Sequence, residues 1–129
     1  MGISPIRGSI LTGQAKATHL DEGKARLDLL PTLALYAEAE VFTYGVGKYD
    51  EYNWLDGILY MKLVASTLRH LFKWVMGTEY DTESGLHHIA HARANLGMLL
   101  ELIMRGRKEL DNRPPAVPAG TGITTRYIA

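Results

Sequence analysis

The chain has 129 residues, 14 Lys plus Arg against 14 Asp plus Glu, five His and no cysteine. Disulfide scaffolds, thiolate zinc sites, iron–sulfur clusters and cysteine nucleophiles are excluded, so any metal must sit on oxygen or imidazole. Zero net charge offers no strongly basic face for nucleic acid, and the length fits one domain with one core.

Residues 1–22 hold Gly2, Pro5, Gly8 and Gly13 without helical or strand periodicity, which predicts an N-terminal arm. Residues 1–7 lack a basic segment followed by an apolar core, and no apolar run approaches the roughly 18 residues of a membrane helix. A cytoplasmic protein without membrane association is expected. A first helix is predicted from Thr32, its N-cap, through Tyr44, with Gly45 ending it. A second is predicted over about 58–76, where Met61, Val64, Leu68, Leu71, Phe72 and Val75 recur at steps of three and four and Gly77 closes the run.

The third predicted helix starts at Asp81 or Thr82, with Glu83 in its first turn where the helix dipole favours an anion, and reaches Arg105-Gly106. Gly85 and Gly97 fall inside it and suggest a close helix contact. Asn112, Pro114, Pro115 and Pro118 then begin a Pro-rich tail over 112–129, whose 124–128 end could pack on a neighbouring subunit. Helices joined by short connections predict an all-α bundle over 23–111. So small a core is expected to be completed by homo-oligomerisation, with the apolar second helix at its centre.

Placed on the third helix, Ser84, His88, His91 and Asn95 fall within about 60° of one another and form one polar stripe. Leu86, Ile89, Leu96, Leu99, Leu100 and Ile103 are expected to bury the adjoining arc, and His87 to face solvent. Asp81 and Glu83 would stand at one end of the stripe. Two readings stay open. Carboxylates suit hard cations and imidazoles bind metal or donate to phosphate, which makes a metal-assisted phosphate site. Equally, the acids are helix caps and the stripe is a satisfied hydrogen-bond network in a non-enzymatic helical binding or assembly protein.

On the second helix His70 turns to the apolar side, as a core histidine or a donor behind a ligand, whereas Arg69 shares a polar arc with Lys62, Ser66 and Lys73. On the first, Glu40 shares a face with Leu33, Ala37 and Tyr44, and Glu38 is expected to be exposed. The 45–54 loop combines glycines, Lys48, Asn53 and Trp54, the parts needed to hold a phosphate and stack on a base. No adjacent His-Asp pair occurs, which disfavours an HD-type triphosphohydrolase.

The ordered clusters Gly23-Lys24-Ala25-Arg26-Leu27-Asp28-Leu29-Leu30-Pro31, Ala39-Glu40-Val41, Tyr44-Gly45, Lys48-Tyr49, Asn53-Trp54, Arg69-His70-Leu71, Asp81 and Glu83-Ser84-Gly85-Leu86, with His88, His91 and Asn95, span roughly residues 23–105. Together they resemble the phage-encoded MazG-like dATP/dGTP pyrophosphohydrolase family. The ExxE and ExxD signatures of the broader superfamily are not intact, and the nearest acids on the first helix are Glu38 and Glu40.

The resemblance implies a MazG-like helical bundle acting as a homodimer or homotetramer. It implies cleavage of a purine dNTP to monophosphate and pyrophosphate with two or three Mg²⁺ or Mn²⁺ ions, in some relatives supplying dGMP for 2-aminoadenine synthesis. On this basis Glu40, Asp81 and Glu83 are expected to be the metal-binding and catalytic acids. Lys48, Arg69 and His88 would neutralise phosphates. His70, His91 and Asn95 would bind or orient the substrate, and Asn53 and Trp54 would meet the sugar or purine.

Overall fold

The computed structural model describes residues 16–127, the side chains of 123–125 excepted. Residues 1–15 of the expected arm and Ile128 at the tail lie outside the described residues. The chain separates into two compact units between Leu30 and Pro31, where the reading above places the boundary at 22/23.

In the first unit a turn closes from the Lys24 amide to the Asp21 carbonyl, and a 3₁₀ turn spans Leu27–Leu29. Asp28 accepts both Arg26 Nε and Nη2, at 3.0 and 2.7 Å. Leu27 and Leu29 remain exposed.

The second unit is all-helical, with three long helices: α1 (Thr32–Lys48), α2 (Tyr60–Val75) and α3 (His88–Met104). A short α4 (Gly122–Tyr127) lies in the tail. Among the described residues the one β-like feature is an isolated antiparallel bridge between Tyr80 and His87. α3 packs against both other long helices. Its Ala90, Ala92 and Ala94 are all buried, and such small side chains allow two neighbours to approach closely. Gly97 serves the same purpose on α1, because a Cβ there would lie 3.0 Å from Glu38 Oε2.

The core centres on Tyr60, Leu63 and Leu102, with Trp54, Leu55, Ile58, Met98, Leu99 and Leu110 packed around them. Polar bonds tie its rim. Tyr60 Oη donates to the Arg107 carbonyl at 2.8 Å, and Arg107 Nη1 donates to the Leu55 carbonyl at 2.6 Å. Asn112 Oδ1 accepts the Met61 amide at 2.9 Å, which satisfies a first-turn donor of α2 and anchors the start of the tail.

Four expectations are corrected. First, α1 runs through Gly45 to Lys48, because glycine weakens a helix without forcing its end. Second, α3 begins at His88. The 79–88 stretch is a closed loop instead, with Asp81 N to Leu86 O at 2.8 Å and His88 N to Glu79 O at 3.0 Å. Gly85 adopts φ +73° there, a left-handed conformation that costs glycine nothing. Glu83 therefore stands in a loop and not in the first turn of a helix. Third, Leu96, Leu100 and Ile103 are exposed, and α3 is instead buried at the alanine positions and Leu102, on the sides that meet its two neighbouring helices. Fourth, His87 is tied down, accepting the Ile89 amide on Nδ1 as the N-cap and pairing with Glu79 at 2.8 Å through Nε2. On α2, Leu68, Phe72 and Val75 are exposed, as is Met76 just past its end.

Candidate functional site

A cleft of about 780 Å³ opens between the C-terminal half of α1, the 49–54 segment, α2, the 79–88 loop and α3. Its wall includes Tyr44, Lys48, Asn53, Trp54, Ser66 and His70, together with Asp81, Glu83, His91, Ala94 and Met98. The extension of α1 past Gly45 is what carries Lys48 here. One turn apart on the same helix, Tyr44 and Lys48 converge on one oxygen of Glu83, with Lys48 Nζ at 2.6 Å and the Tyr44 hydroxyl at 3.2 Å. The Lys48 ammonium and the Tyr44 hydroxyl hold the Glu83 carboxyl below its usual range, and Glu83 in turn holds Lys48 above its own.

The loop gives Asp81 its role. Asp81 Oδ2 accepts the Ser84 amide at 2.8 Å in the manner of an N-cap, and the Gly85 amide bonds the Asp81 carbonyl at 2.8 Å, so residues 81–85 form one helical turn that goes no further. Burial pushes this carboxyl upward, but the hydrogen bonds from Ser84 outweigh it, helped by nearby His91 and His70, and the net direction is downward. Both acids are therefore ionised at neutral pH.

Three imidazoles stand behind the loop. His70 Nδ1 and His88 Nδ1 share a hydrogen bond of 2.9 Å, and the His70 ring stacks on His91 with centroids 4.5 Å apart and planes within 5°. Burial, reinforced by His91 and His88, lowers His70 from 6.5 to about 4, and burial lowers His91 as well. Both rings are neutral at pH 7. Ser84 Oγ pairs with His91 Nε2 at 2.6 Å and also accepts the Leu86 amide. The stripe expected on one helix is thus completed across a loop: Ser84 reaches His91 although it lies outside α3. Asn95, one turn further, donates to Ser66 Oγ at 2.9 Å. His88 is 1% exposed, and its Nε2 has no hydrogen-bond partner among the described residues. Ligand atoms of His70, Asp81 and His88 lie within 4.8 Å of one another, so these three could hold a metal ion.

The apolar wall includes Phe42 and Trp54, with ring centroids 6.3 Å apart, beside Asn53. Lys48, Asn53, Trp54, His70, Asp81, Glu83 and His91 are thereby gathered in one cleft, with Asn95 and His88 adjoining it through Ser66 and His70. Arg69 is exposed and outside the lining, as is Glu40. The faces of the two helix-one acids are the reverse of those expected. Glu38 is half-buried against Arg93 at 3.0 Å, while Glu40 turns to solvent, because the α1–α3 contact at Gly97 takes the Glu38 side of the helix. Tyr44 is a cleft residue that the sequence reading does not assign to the site. Its signal is the four-residue spacing to Lys48, which counts only if the helix continues through Gly45.

An all-helical domain with a cleft that combines ionised acids, a lysine, neutral imidazoles and an indole is the class these features define. Residues 14–113 match the family described as dATP/dGTP diphosphohydrolase, N-terminal, and the chain belongs to that family. It is similar to a dATP/dGTP diphosphohydrolase of Salmonella phage PMBT28, at 33% identity over 93 residues. The aligned part is 72% of this chain and 31% of the phage protein, so the chain spans about a third of that relative's length. No solved structure matches. The matched region contains every cleft residue named above.

Proposed function

We propose that this chain hydrolyses purine deoxynucleoside triphosphates, dGTP and dATP, between the α- and β-phosphates. The observation that carries the reading is the lining of one cleft by Lys48, Asp81 and Glu83 together with Asn53 and Trp54. Family membership and the name of the phage relative support it.

Asp81 and Glu83 are hard oxygen donors that fit Mg²⁺ or Mn²⁺, in the two or three ions the family resemblance implies. When bound, such ions supply positive charge to the phosphate oxygens and acidify a nearby water. Lys48 is a mobile counter-charge. Drawn from Glu83 to a phosphate, it leaves that carboxylate free. Water attacks the α-phosphorus, the bond to the α–β bridging oxygen breaks, and pyrophosphate departs with the bonding pair. An ionised carboxylate of the cleft receives the proton from the water. His70 and His91, neutral at pH 7, orient by hydrogen bonding and bring no charge. Asn53 and Trp54 meet the sugar and purine, and His88 and Asn95 fix the imidazole array from behind. Arg69 and Glu40 have no part in this reading.

The exposed apolar side chains of α2 and α3, among them Phe72, Val75, Leu100 and Met104, support a homo-oligomer. Among the described residues no helix is long and apolar enough to cross a membrane. The enzyme would act in the cytoplasm of an infected host, and its dGMP would feed 2-aminoadenine nucleotide synthesis. Incubation of the purified protein with each dNTP and Mg²⁺ or Mn²⁺, followed by chromatography, tests the reaction. Pyrophosphate with dGMP or dAMP is expected. Intact nucleotide under every metal would make the chain a helical binding protein with a structural histidine network.

A further inference from the structure

The histidine pair has a consequence separate from phosphate chemistry. We propose that His70, Asp81 and His88 form a site for one nitrogen-preferring transition-metal ion of the Zn²⁺ or Co²⁺ kind. This ion would join α2, the 79–88 loop and the start of α3.

Two observations lead there. The ligand atoms of the three side chains lie within 4.8 Å of one another. The two imidazoles meet Nδ1 to Nδ1 at 2.9 Å. Two nitrogens on one tetrahedral Zn²⁺, with bonds of about 2.0–2.1 Å, stand roughly 3.3 Å apart, so the rings have to open by a few tenths of an ångström and turn their Nδ1 lone pairs toward the ion, while the proton they share on Nδ1 moves to Nε2 of its ring. His70 is half-buried at the cleft wall and can yield, whereas His88 is 1% exposed and held in place.

The donor set decides the metal. Mg²⁺ demands oxygen ligands and keeps its waters, so two imidazoles and one carboxylate serve it poorly. Zn²⁺ and Co²⁺ accept two nitrogens and one oxygen readily and leave a fourth position open. Asp81 is shared with the hard-cation assignment, and its carboxylate has two oxygens with which to serve both. The inference does not rest on hydrolysis, because the site is defined without nucleotide. Its physical role is to staple the loop that carries Glu83 and Ser84 onto the two helices.

The test uses the whole chain without nucleotide, titrated with Co²⁺ and followed by visible absorption, with Zn²⁺-dependent melting in parallel. One Co²⁺ per chain is expected, with the intense d–d bands of a four-coordinate site that persist in excess Mg²⁺, and Zn²⁺ should raise Tm. His70→Ala and Asp81→Asn, each checked for helicity by circular dichroism, should weaken Co²⁺ binding by at least about tenfold, since even groups behind the ligands contribute that much. His19→Ala, which removes an exposed imidazole of the other unit, should bind as the parent does. Absence of the bands in the parent protein, their loss on adding Mg²⁺, or their survival in a folded His70→Ala variant would each overturn the proposal.

Discussion

Lys48 Nζ and Glu83 Oε1 meet at 2.6 Å although the residues are 35 positions apart, one on the last turn of α1 and the other on the loop before α3. This ion pair, supported by Tyr44, lines one side of the cleft. Both partners are substantially exposed, so it contributes little to folding. On the proposed function, it holds an acid and a cation at the spot where a polyanion and its metal would separate them.

Glu83→Gln and Asp81→Asn are each expected to lower hydrolysis at saturating Mg²⁺ or Mn²⁺ by roughly a hundredfold or more. Steady-state kinetics with dGTP and dATP measure it. Near-parental turnover in both variants would move the metal site away from this loop.

Tyr44→Phe removes one of two donors to Glu83 Oε1 and leaves Lys48 in place. The Glu83 carboxyl then rises toward its usual range. The acid limb of the kcat/KM profile should move to higher pH, with turnover at neutral pH nearly unchanged because the carboxyl stays ionised there. A pH-rate profile identical to that of the parent would show that Tyr44 does not tune this acid.

His70 sets a pH dependence of stability. Its folded value is about 4 against an ordinary 6.5, with His91, His88, Asp81 and Lys73 around it. Between these values the unfolded chain binds the proton and the folded chain does not, so stability rises with pH there. Melting in chelator-treated buffer should show Tm falling as pH drops from 6.5 toward 4, with no contribution from this group above 6.5. His70→Asn should flatten that slope.

Gly97 and Glu38 should be energetically coupled. A Cβ at position 97 would stand 3.0 Å from Glu38 Oε2, and Glu38 is already held by Arg93. Gly97→Ala alone therefore sacrifices much of the roughly 1 kcal/mol that alanine brings to a helix interior. In a Glu38→Ala background the same change should recover it. Denaturant unfolding of the double-mutant cycle measures the difference, and strict additivity would refute the contact.

Much of this protein was legible along the chain. The three- and four-residue recurrence of apolar side chains foretold three long helices, because helical periodicity is a local property. The residue types of the cleft were legible too, since acids, a lysine, imidazoles and an indole announce their chemistry without a fold. Where the helices begin and end was not. Asp81 reads as a helix start because its carboxylate does cap a turn, and only the bonds to the Leu86 and Glu79 carbonyls close the loop and defer the helix to His88. Gly45 looked like an end for a similar reason.

What the sequence determined by itself was the class: an all-helical, cysteine-free chain carrying an acid, imidazole and lysine set suited to phosphate. Only the tertiary structure decided which side chains meet. Helical phase fixes neighbours on one element, whereas the pairings of Glu83 with Lys48, His70 with His88, and Glu38, not Glu40, with α3 depend on packing between distant segments.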